Sequence, residues 1–292
     1  MIPAEPDPDC TGVGIEMKHK TIANVLTIAG SDSSGGAGIQ ADLKAFAAQG
    51  VYGASVITAV TAQNTQAVTA VHYIPPKIIQ AQLEAVLSDI NISAIKIGML
   101  GHADAIRAIS ATLDSYPHIP VIIDPVMISK SGNALLQPDA VELLVSALIP
   151  KALMITPNLP EAAVLAAVSE PSSLSEMEAL LPGLHSLGAQ YVLLKGGHLD
   201  NARESTDLLY DGKTMYPFVS QRVETKNTHG TGCTFSAAIA ANVAKGLPVS
   251  ESVSIAKDYL TTVIQSADAL SVGKGHGPLN HFSSMWNLSF PI

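Results

Sequence analysis

Residues 24–42 read NVLTIAGSDSSGGAGIQAD, an apolar run that leads through a glycine-rich segment into a helical pattern. The run 24–29 predicts a buried strand, and residues 37–49 have the spacing of a helix. Apolar runs alternate with helical patterns through most of the remaining chain, which is typical of a parallel sheet with helices on both faces. The sequence therefore predicts an α/β fold whose first strand ends in a glycine loop.

The other predicted elements continue this alternation. Strands are expected at 53–62, 94–98, 120–124, 153–156 and 191–195, and helices at 76–90, 103–113, 138–148, 160–167, 173–187, 232–244 and 250–267. Pro182-Gly183 is expected to break or kink the helix that contains it. Within residues 206–223, Asp211-Gly212 lies between two alternating segments and predicts a β-hairpin.

The composition excludes several classes of protein. Of the 292 residues, 47% are hydrophobic and 14% are charged, which is the opposite of a disordered chain. The net charge of −9 argues against a nucleic-acid-binding protein, and no run of about 18 apolar residues predicts a membrane span. Two cysteines are too few for a disulfide framework. We therefore expect a soluble globular protein without a nucleic-acid or membrane partner.

The first 21 residues differ from the rest of the chain. They are acidic and rich in proline, and they lack the features of a secretory signal or a transit peptide. We interpret residues 1–21 as a disordered N-terminal extension, with Met17 as a candidate internal start. Residues 22–292 are then expected to form a single domain, and a reducing cytoplasm is the expected location.

The first glycine loop is similar to a dinucleotide-binding turn. Gly36-x-Gly38-x-x-Ala41 fits the dinucleotide fingerprint and follows a predicted strand. That fingerprint also requires an acidic residue about 20 residues on, but no Asp, Glu or Arg occurs between Lys44 and Leu83. A small-molecule site at this strand end is therefore favoured, with a tight turn that binds no ligand as the alternative. Asp42 either hydrogen-bonds a ligand or only favours the helix N-terminus.

A second glycine loop, Asn227-Thr-His-Gly-Thr-Gly-Cys-Thr234, leads directly into an alanine-rich helix. Glycines before a helix leave backbone N–H groups pointing outward, and together with the helix dipole they form an anion site. The chain has no Walker A sequence. Cys233 lies at the helix N-terminus, where the pKa of a thiol is lowered, so it is a candidate base or nucleophile. The alternative for Cys233 is a small buried hydrophobe.

Charged residues follow several of the later strands. Asp124 ends one strand and Glu161 lies just after the next, so both carboxylates are expected in one crevice that suits Mg²⁺. Each acid could also be an ordinary strand-end or helix-start residue. Lys195 and Lys274 lie in glycine-containing segments and either contact phosphate or are surface charges. The nine histidines show no zinc-binding spacing.

Seven motifs together resemble those of the hydroxymethylpyrimidine/phosphomethylpyrimidine kinases of thiamine biosynthesis, which belong to the ribokinase-like superfamily. The resemblance runs in the family's order from about residue 24 to residue 282 and leaves out residues 1–21. The motifs are Gly30–Asp42, Thr61–Thr65, Lys96–Leu100, Asp124–Met127, Thr156–Glu161, Lys195–His198 and Asn227–Cys233.

The resemblance implies a ribokinase-like three-layer α/β/α sandwich with a mainly parallel central sheet. It implies an ATP-dependent kinase that phosphorylates 4-amino-5-hydroxymethyl-2-methylpyrimidine and then its monophosphate, which gives the diphosphate. ATP and Mg²⁺ are the implied cofactors, and a homodimer is the implied assembly.

Residue roles also follow from the resemblance. Gln63 is expected to pair with the aminopyrimidine edge, to which its amide offers one donor and one acceptor. Cys233 stands where sugar kinases of this fold carry an aspartate base. The substrate pocket is implied at Gly30, Ala37, Asp42, Met99 and Val126. The anion hole over the transferred phosphoryl group is implied at Gly230, Thr231 and Gly232, and the nucleotide side at Asn158, Lys195 and Lys274. The Mg²⁺ region is implied at Asp124 and Glu161, with Glu161 acting through water.

Three other functions stay open at this point. The nearest is a pyridoxal or pyridoxine kinase on the same fold, because a substituted pyridine methanol has a similar size and shape. A non-catalytic ligand sensor would keep the pocket without turnover, but the acid pair, the anion loop and Cys233 argue against it. A thiol enzyme would use Cys233 as a covalent nucleophile.

Overall fold

The computed structural model describes residues 21–127, 136–197, 199 and 203–286. The strands there are β1 (Asn24–Asp32), β2 (Tyr52–Gln63), β3 (Val68–Tyr73), β4 (Ile92–Ile97), β5 (Val121–Ile123), β6 (Met154–Ile155), β7 (Tyr191–Lys195), β8 (Glu204–Tyr210) and β9 (Met215–Gln221). They form one sheet in the order β3-β2-β1-β4-β5-β6-β7-β8-β9. The strands from β2 to β7 in this order are parallel, whereas β3 and β8 are antiparallel to their neighbours.

Helices cover both faces of this sheet. They are α1 (Gly38–Ala48), α2 (Pro76–Leu87), α3 (Ala103–Leu113), α4 (Pro138–Leu143), α5 (Leu159–Ala166), α6 (Leu174–His185), α7 (Thr231–Ala244) and α8 (Val249–Gln265). The apolar residues of α2, α3, α5 and α6 form one core with the sheet, and those of α1, α7 and α8 form the other. The fold is therefore the α/β sandwich of three layers that the sequence predicts.

Strand β4 shows how the two cores are built from one strand. Ile95 and Ile97 belong to the core under α2 and α3, and Ala94 belongs to the core under α1 and α7. Because side chains alternate between the faces of a strand, Lys96 points to the same face as Ala94. This lysine is completely buried, so the second core contains a charge that needs a partner.

Most predicted elements are confirmed, and two predictions are wrong or incomplete. The hairpin at Asp211-Gly212 is confirmed, because β8 and β9 pair across it. Helix α6 continues through Pro182, so the predicted break is wrong; Pro182 is exposed and begins the last turn, so the helix loses one i→i−4 hydrogen bond and ends soon after it. Strand β3 was not predicted from the sequence; three of its six side chains are exposed and none is buried, so it has no apolar alternation that would mark it.

Some sequence predictions fall on residues outside the described ranges. These include the extension over residues 1–21 apart from Thr21, the candidate start at Met17, and His198 in the motif that follows β7. The division into an extension and a single domain over 22–292 therefore stays a prediction. None of the helices in the described ranges is long and apolar enough to cross a membrane.

A buried histidine at the base of α7 should make stability depend on pH. His281 Nε2 lies 2.9 Å from the Thr234 hydroxyl, and burial lowers the pKa of His281 to about 4. As the pH falls, histidine is protonated in the unfolded chain near pH 6.5, well before His281 is protonated in the folded protein. The contribution of the neutral His281 to the free energy of unfolding is therefore fully present above about pH 6.5 and is lost as the pH falls toward 4. Urea unfolding at pH 7 and at pH 4.5 measures this effect. Between these two pH values, the free energy of unfolding of wild type should fall by about 2 kcal/mol more than that of His281→Gln.

The exposed histidine His118 provides the control for this experiment. We expect His118→Gln to keep the wild-type dependence of the unfolding free energy on pH. If His281→Gln also keeps that dependence, the assignment of a neutral, buried His281 is incorrect.

Candidate active site

A cavity of about 860 Å³ opens at the carboxyl ends of the parallel strands. Both glycine loops, the residues that follow β5, β6 and β7, the hairpin β8–β9 and helix α8 contribute to its wall. Cavities of this size accommodate small-molecule ligands, and in open parallel sheets they occur at this edge. The structure therefore brings together motifs that are up to 200 residues apart in the chain.

The first glycine loop is organised by Asp32 at the end of β1. Its carboxylate accepts hydrogen bonds from the Ser34 hydroxyl and from the backbone N–H groups of Ser34, Gly36 and Ala37. His229 Nε2 lies 2.8 Å from Asp32 Oδ2. Burial opposes the charge, but hydrogen bonds from His229 and Ser34 lower the pKa of Asp32 to about 2. Asp32 is therefore an ionised residue that fixes the loop and reaches the second glycine loop.

The second glycine loop packs directly on the first. Gly230 has a φ of +82°, and a Cβ atom there would lie 1.8 Å from the carbonyl oxygen of Gly36. Only glycine meets both conditions. Helix α7 then begins at Thr231, so the N–H groups of Gly232 and Cys233 have no acceptor within the helix. These free N–H groups point to the anion site that the loop sequence predicts, which stays a prediction.

Gly232 faces two charged groups across the cavity. A Cβ atom on Gly232 would lie 3.3 Å from Lys195 Nζ and 3.4 Å from Asp124 Oδ2. The space beside this glycine is therefore enclosed by backbone N–H groups, an ammonium and a carboxylate. An anion of the size of a phosphoryl group, together with a cation, matches these surroundings.

Cys233 borders the cavity, but its thiol differs from the sequence-based expectation. Burial raises the pKa of Cys233 to about 11, despite the favourable charge of Lys96 and a hydrogen bond from the backbone of Gly38. The expected lowering at a helix N-terminus is therefore wrong, because desolvation of the thiolate outweighs it. The resting site holds a neutral thiol with a buried cation nearby.

That cation belongs to a buried ion pair beneath the cavity. Lys96 Nζ lies 2.9 Å and 3.0 Å from the two carboxylate oxygens of Asp42, which also accepts a hydrogen bond from the Thr27 hydroxyl at 2.6 Å. Burial opposes the charge on Lys96, but the charge of Asp42 keeps the pKa of Lys96 above its usual range. Lys96 lines the cavity and Asp42 does not. Asp42 is therefore placed to hold Lys96, and not to contact a ligand as the resemblance implied.

Asp124, Glu161 and Lys195 meet at the ends of β5, β6 and β7. Lys195 Nζ lies 2.7 Å from Asp124 Oδ1, and the Thr156 hydroxyl lies 3.2 Å from the same oxygen. Burial opposes the charge on Lys195, but Asp124 and Glu161 raise the pKa of Lys195. This convergence follows from the parallel strand order, as predicted.

Glu161 caps a helix and has a carboxylate whose pKa is raised. It forms a capping box with Asn158, in which each side chain accepts the other's backbone N–H at 2.9 Å. Burial, with the nearby charge of Asp124, raises the pKa of Glu161 to about 7, although Lys195 lowers it. A cation beside Glu161 would favour its ionised form.

Asp124 and Glu161 supply the carboxylate oxygens that Mg²⁺ prefers as ligands. Within the described part of the chain, no cluster of three or more His, Cys, Asp or Glu side chains could form a complete protein cage for a metal. Mg²⁺ does not need one, since it is usually held by one or two carboxylates, waters and substrate phosphates. The capping hydrogen bond occupies one oxygen of Glu161, and the expected contact of Glu161 with Mg²⁺ through water stays a prediction.

The remaining predicted residues divide into two groups. Those that line the cavity are Gly30, Ala37, Gln63, Met99, Val126, Asn158, Gly230 and Thr231. At Gly30 a Cβ atom would lie 2.3 Å from Met99 Cε, so this glycine makes room for the methionine. Lys274 is not among the lining residues; its backbone N–H donates to the Thr65 hydroxyl at 3.2 Å. Its expected contact with the nucleotide stays a prediction.

The sequence did not reveal the part of the cavity wall formed by β8, β9 and α8, nor three other residues that line the cavity. That part of the wall contains a buried pair in which Lys257 Nζ lies 2.6 Å from Asp207 Oδ2. The three other residues are Asp32, Lys96 and His229. Only Lys96 gives a signal in the sequence, since a lysine within an apolar strand requires a buried partner.

This chain is similar to one enzyme family and, among others, to three known proteins. The family described as phosphomethylpyrimidine kinase matches residues 32–280. The hydroxymethylpyrimidine/phosphomethylpyrimidine kinase of Rhizobium meliloti is 52% identical over 264 residues, which are 90% of this chain and 98% of that protein. The thiamine biosynthesis bifunctional protein ThiED of Geobacter sulfurreducens is 48% identical over 285 residues, 95% of this chain and 57% of that protein. The crystal structure of an ADP complex of Bacillus subtilis pyridoxal kinase has a TM-score of 0.83 at 38% identity and covers 90% of this chain and 99% of that one.

Proposed function

This chain belongs to the phosphomethylpyrimidine kinase family, and we propose on that basis that it performs two successive phosphorylations in thiamine biosynthesis. The first transfers a phosphoryl group from ATP to the hydroxymethyl group of 4-amino-5-hydroxymethyl-2-methylpyrimidine. The second transfers another to the resulting monophosphate, which gives the diphosphate.

The observation that carries this proposal is the arrangement of groups around Gly232. The backbone N–H groups at the start of α7, Lys195 and Asp124 surround one point of the cavity. Cys233 borders the same cavity, and Gln63 lies in its wall beside the first glycine loop. A phosphoryl acceptor can therefore lie with its ring hydrogen-bonded to Gln63 and its reacting oxygen near Gly232. There Lys195 and the backbone N–H groups neutralise the transferred phosphate.

In the first step, Cys233 is assigned as the group that receives the hydroxyl proton. A neutral thiol cannot accept a proton, so the active form is the thiolate, which Lys96 and the Gly38 N–H stabilise from the inner side. Phosphoryl transfer depends mainly on positioning and charge neutralisation, so a small population of thiolate is sufficient. The second step needs no base, because its nucleophile is a phosphate oxygen that is already deprotonated.

The phosphates of ATP are assigned to the point beside Gly232. The N–H groups of Gly232 and Cys233 donate to the transferred group, and Lys195 supplies a positive charge. Asp124 and, through water, Glu161 would hold Mg²⁺, which when bound neutralises phosphate charge. The part of the cavity between α8 and the hairpin β8–β9 is left for the nucleoside. An ADP complex of a similar kinase supports nucleotide use by this fold.

Pyridoxal is the second candidate substrate, because solved pyridoxal kinases are structurally similar to this chain. The aminopyrimidine is favoured by the higher identity to the hydroxymethylpyrimidine kinases, 52% against 38%. The two substrates are separated by measuring kcat/KM for each with the same enzyme and Mg-ATP. We expect a higher value for the aminopyrimidine, and a preference for pyridoxal would overturn the choice.

We further propose that the enzyme is a cytoplasmic homodimer, which is what the resemblance to the family implies. Sedimentation velocity of the full chain should then give twice the chain mass of 30.3 kDa. A species of single chain mass at micromolar concentration would contradict the dimer.

A further inference from the structure

Gln63, the residue assigned to the pyrimidine ring, contacts two other side chains in the cavity wall. One end of its amide lies 3.3 Å from His229 Nε2, and the other end lies 3.1 Å from the Thr61 hydroxyl. His229 in turn lies 2.8 Å from Asp32 Oδ2. The Thr61 hydroxyl also lies 2.9 Å from the carbonyl oxygen of Ser31. These contacts form a chain of hydrogen bonds across the two glycine loops and β2.

The direction of each hydrogen bond follows from Asp32. Four donors from Ser34, Gly36 and Ala37 already surround its carboxylate, so Asp32 is ionised and can only accept. His229 Nε2 must therefore carry a hydrogen and donate it to Asp32. A protonated ring nitrogen cannot also accept a hydrogen bond, so the amide NH₂ of Gln63 has no acceptor on this side.

The same conclusion follows from the other end of the amide. A carbonyl oxygen can only accept, so the Thr61 hydroxyl donates to Ser31 and has lone pairs left for an incoming N–H. The two ends of an amide are similar in size, and its orientation is decided by the hydrogen-bond network. When the oxygen of Gln63 faces His229 and its NH₂ faces Thr61, the NH₂ donates to the Thr61 hydroxyl and the oxygen shares the single Nε2–H of His229 with Asp32.

We propose that His229, oriented by Asp32, is a specificity-determining residue that fixes the direction of the Gln63 amide. One lone pair of the oxygen faces His229 and one N–H faces Thr61, which leaves one lone pair and one N–H for the substrate. A 4-aminopyrimidine edge offers an N–H donor and a ring-nitrogen acceptor, which match these two groups. A 4-oxopyrimidine offers the reverse pattern, so a fixed amide rejects it. This inference rests on the proposed function.

The test compares the 4-amino substrate with its 4-oxo analogue, in which the amino group is replaced by oxygen. Because the mismatch leaves buried polar groups unpaired, we expect wild type to favour the amino compound in kcat/KM by at least about 100-fold. In His229→Leu the amide loses the donor that fixes it, so this ratio should fall at least about tenfold. Asp32 keeps its four other donors in that variant, so the first glycine loop is expected to stay intact.

Three further variants make the result specific. Thr61→Val removes the acceptor at the other end of the amide while conserving shape, and it should lower the ratio as well. His229→Gln restores an N–H donor near the same position and should recover a large part of the ratio. His118→Leu makes the same exchange at an exposed histidine far from the site, and the ratio should stay at the wild-type value.

The outcomes separate this inference from the proposed function. A wild-type enzyme that phosphorylates neither pyrimidine overturns both. A wild-type enzyme that favours the amino compound, with the same ratio in His229→Leu and Thr61→Val, overturns only the role of His229. A ratio that falls in both variants and recovers in His229→Gln supports it, since loss of packing alone would not depend on an N–H donor.

Discussion

Replacing Cys233 by serine should slow the first phosphorylation by about 100-fold and leave the second nearly unchanged. A serine hydroxyl holds its proton far more strongly than a thiol, so it cannot replace the thiolate as a base. The second step attacks with a phosphate oxygen and does not depend on this group. The two steps are measured separately, by starting from the hydroxymethylpyrimidine or from its monophosphate.

The pH dependence of wild type provides an independent check on the same assignment. Because burial raises the pKa of Cys233 to about 11, the rate of the first step should still rise with pH above pH 8, whereas the second step should not. Cys233→Ser should abolish this rise. Equal losses in both steps would contradict the role of Cys233 as the base and would assign it to positioning instead.

Replacing Gly232 by alanine should reduce both phosphorylations by at least about 100-fold with little change in the stability of the protein. The new methyl group would stand 3.3 Å from Lys195 Nζ and 3.4 Å from Asp124 Oδ2, in the space assigned to the transferred phosphoryl group. Gly232 lies within α7 and has no positive φ. Alanine therefore suits its backbone, although its methyl group presses on the ion pair of Lys195 and Asp124, so the free energy of unfolding should change by no more than about 1 kcal/mol in either direction.

Gly183 in α6 offers a matched control, because a Cβ atom there would meet nothing within 4 Å. Gly183→Ala should also favour the helix, but both phosphorylations should keep their wild-type rates. Thermal unfolding and steady-state rates of the two variants give the comparison. A Gly232→Ala enzyme with wild-type activity would show that phosphate does not bind beside this glycine.

The parts of the site that could be predicted from the sequence are those that depend on the rule of parallel strands. Asp124 and Glu161 follow β5 and β6, and Lys195 is the last residue of β7. The carboxyl ends of neighbouring parallel strands meet at one edge of the sheet. The glycine loops also have a local signal, because glycines before a helix create N–H donors whatever the rest of the chain does. These predictions required no knowledge of distant contacts.

The parts that could not be predicted depend on which distant segments pack together. Asp32 and His229 are separated by 197 positions, and nothing in either local sequence indicates that they are partners. The pKa of Cys233 shows the same limit, since its local position favours the thiolate but burial by other elements outweighs it. Asp42 follows a glycine loop, as a ligand-binding acid would. Only the fold shows that both oxygens of its carboxylate accept hydrogen bonds from Lys96.

The most direct test of the proposed function is the time course of products formed from 4-amino-5-hydroxymethyl-2-methylpyrimidine and Mg-ATP. Mass spectrometry should show the monophosphate first and the diphosphate afterwards, with one ATP consumed for each phosphoryl group transferred. Pyridoxal under the same conditions should give less product. If neither pyrimidine phosphate forms while pyridoxal is phosphorylated, the assignment to a pyrimidine kinase is wrong.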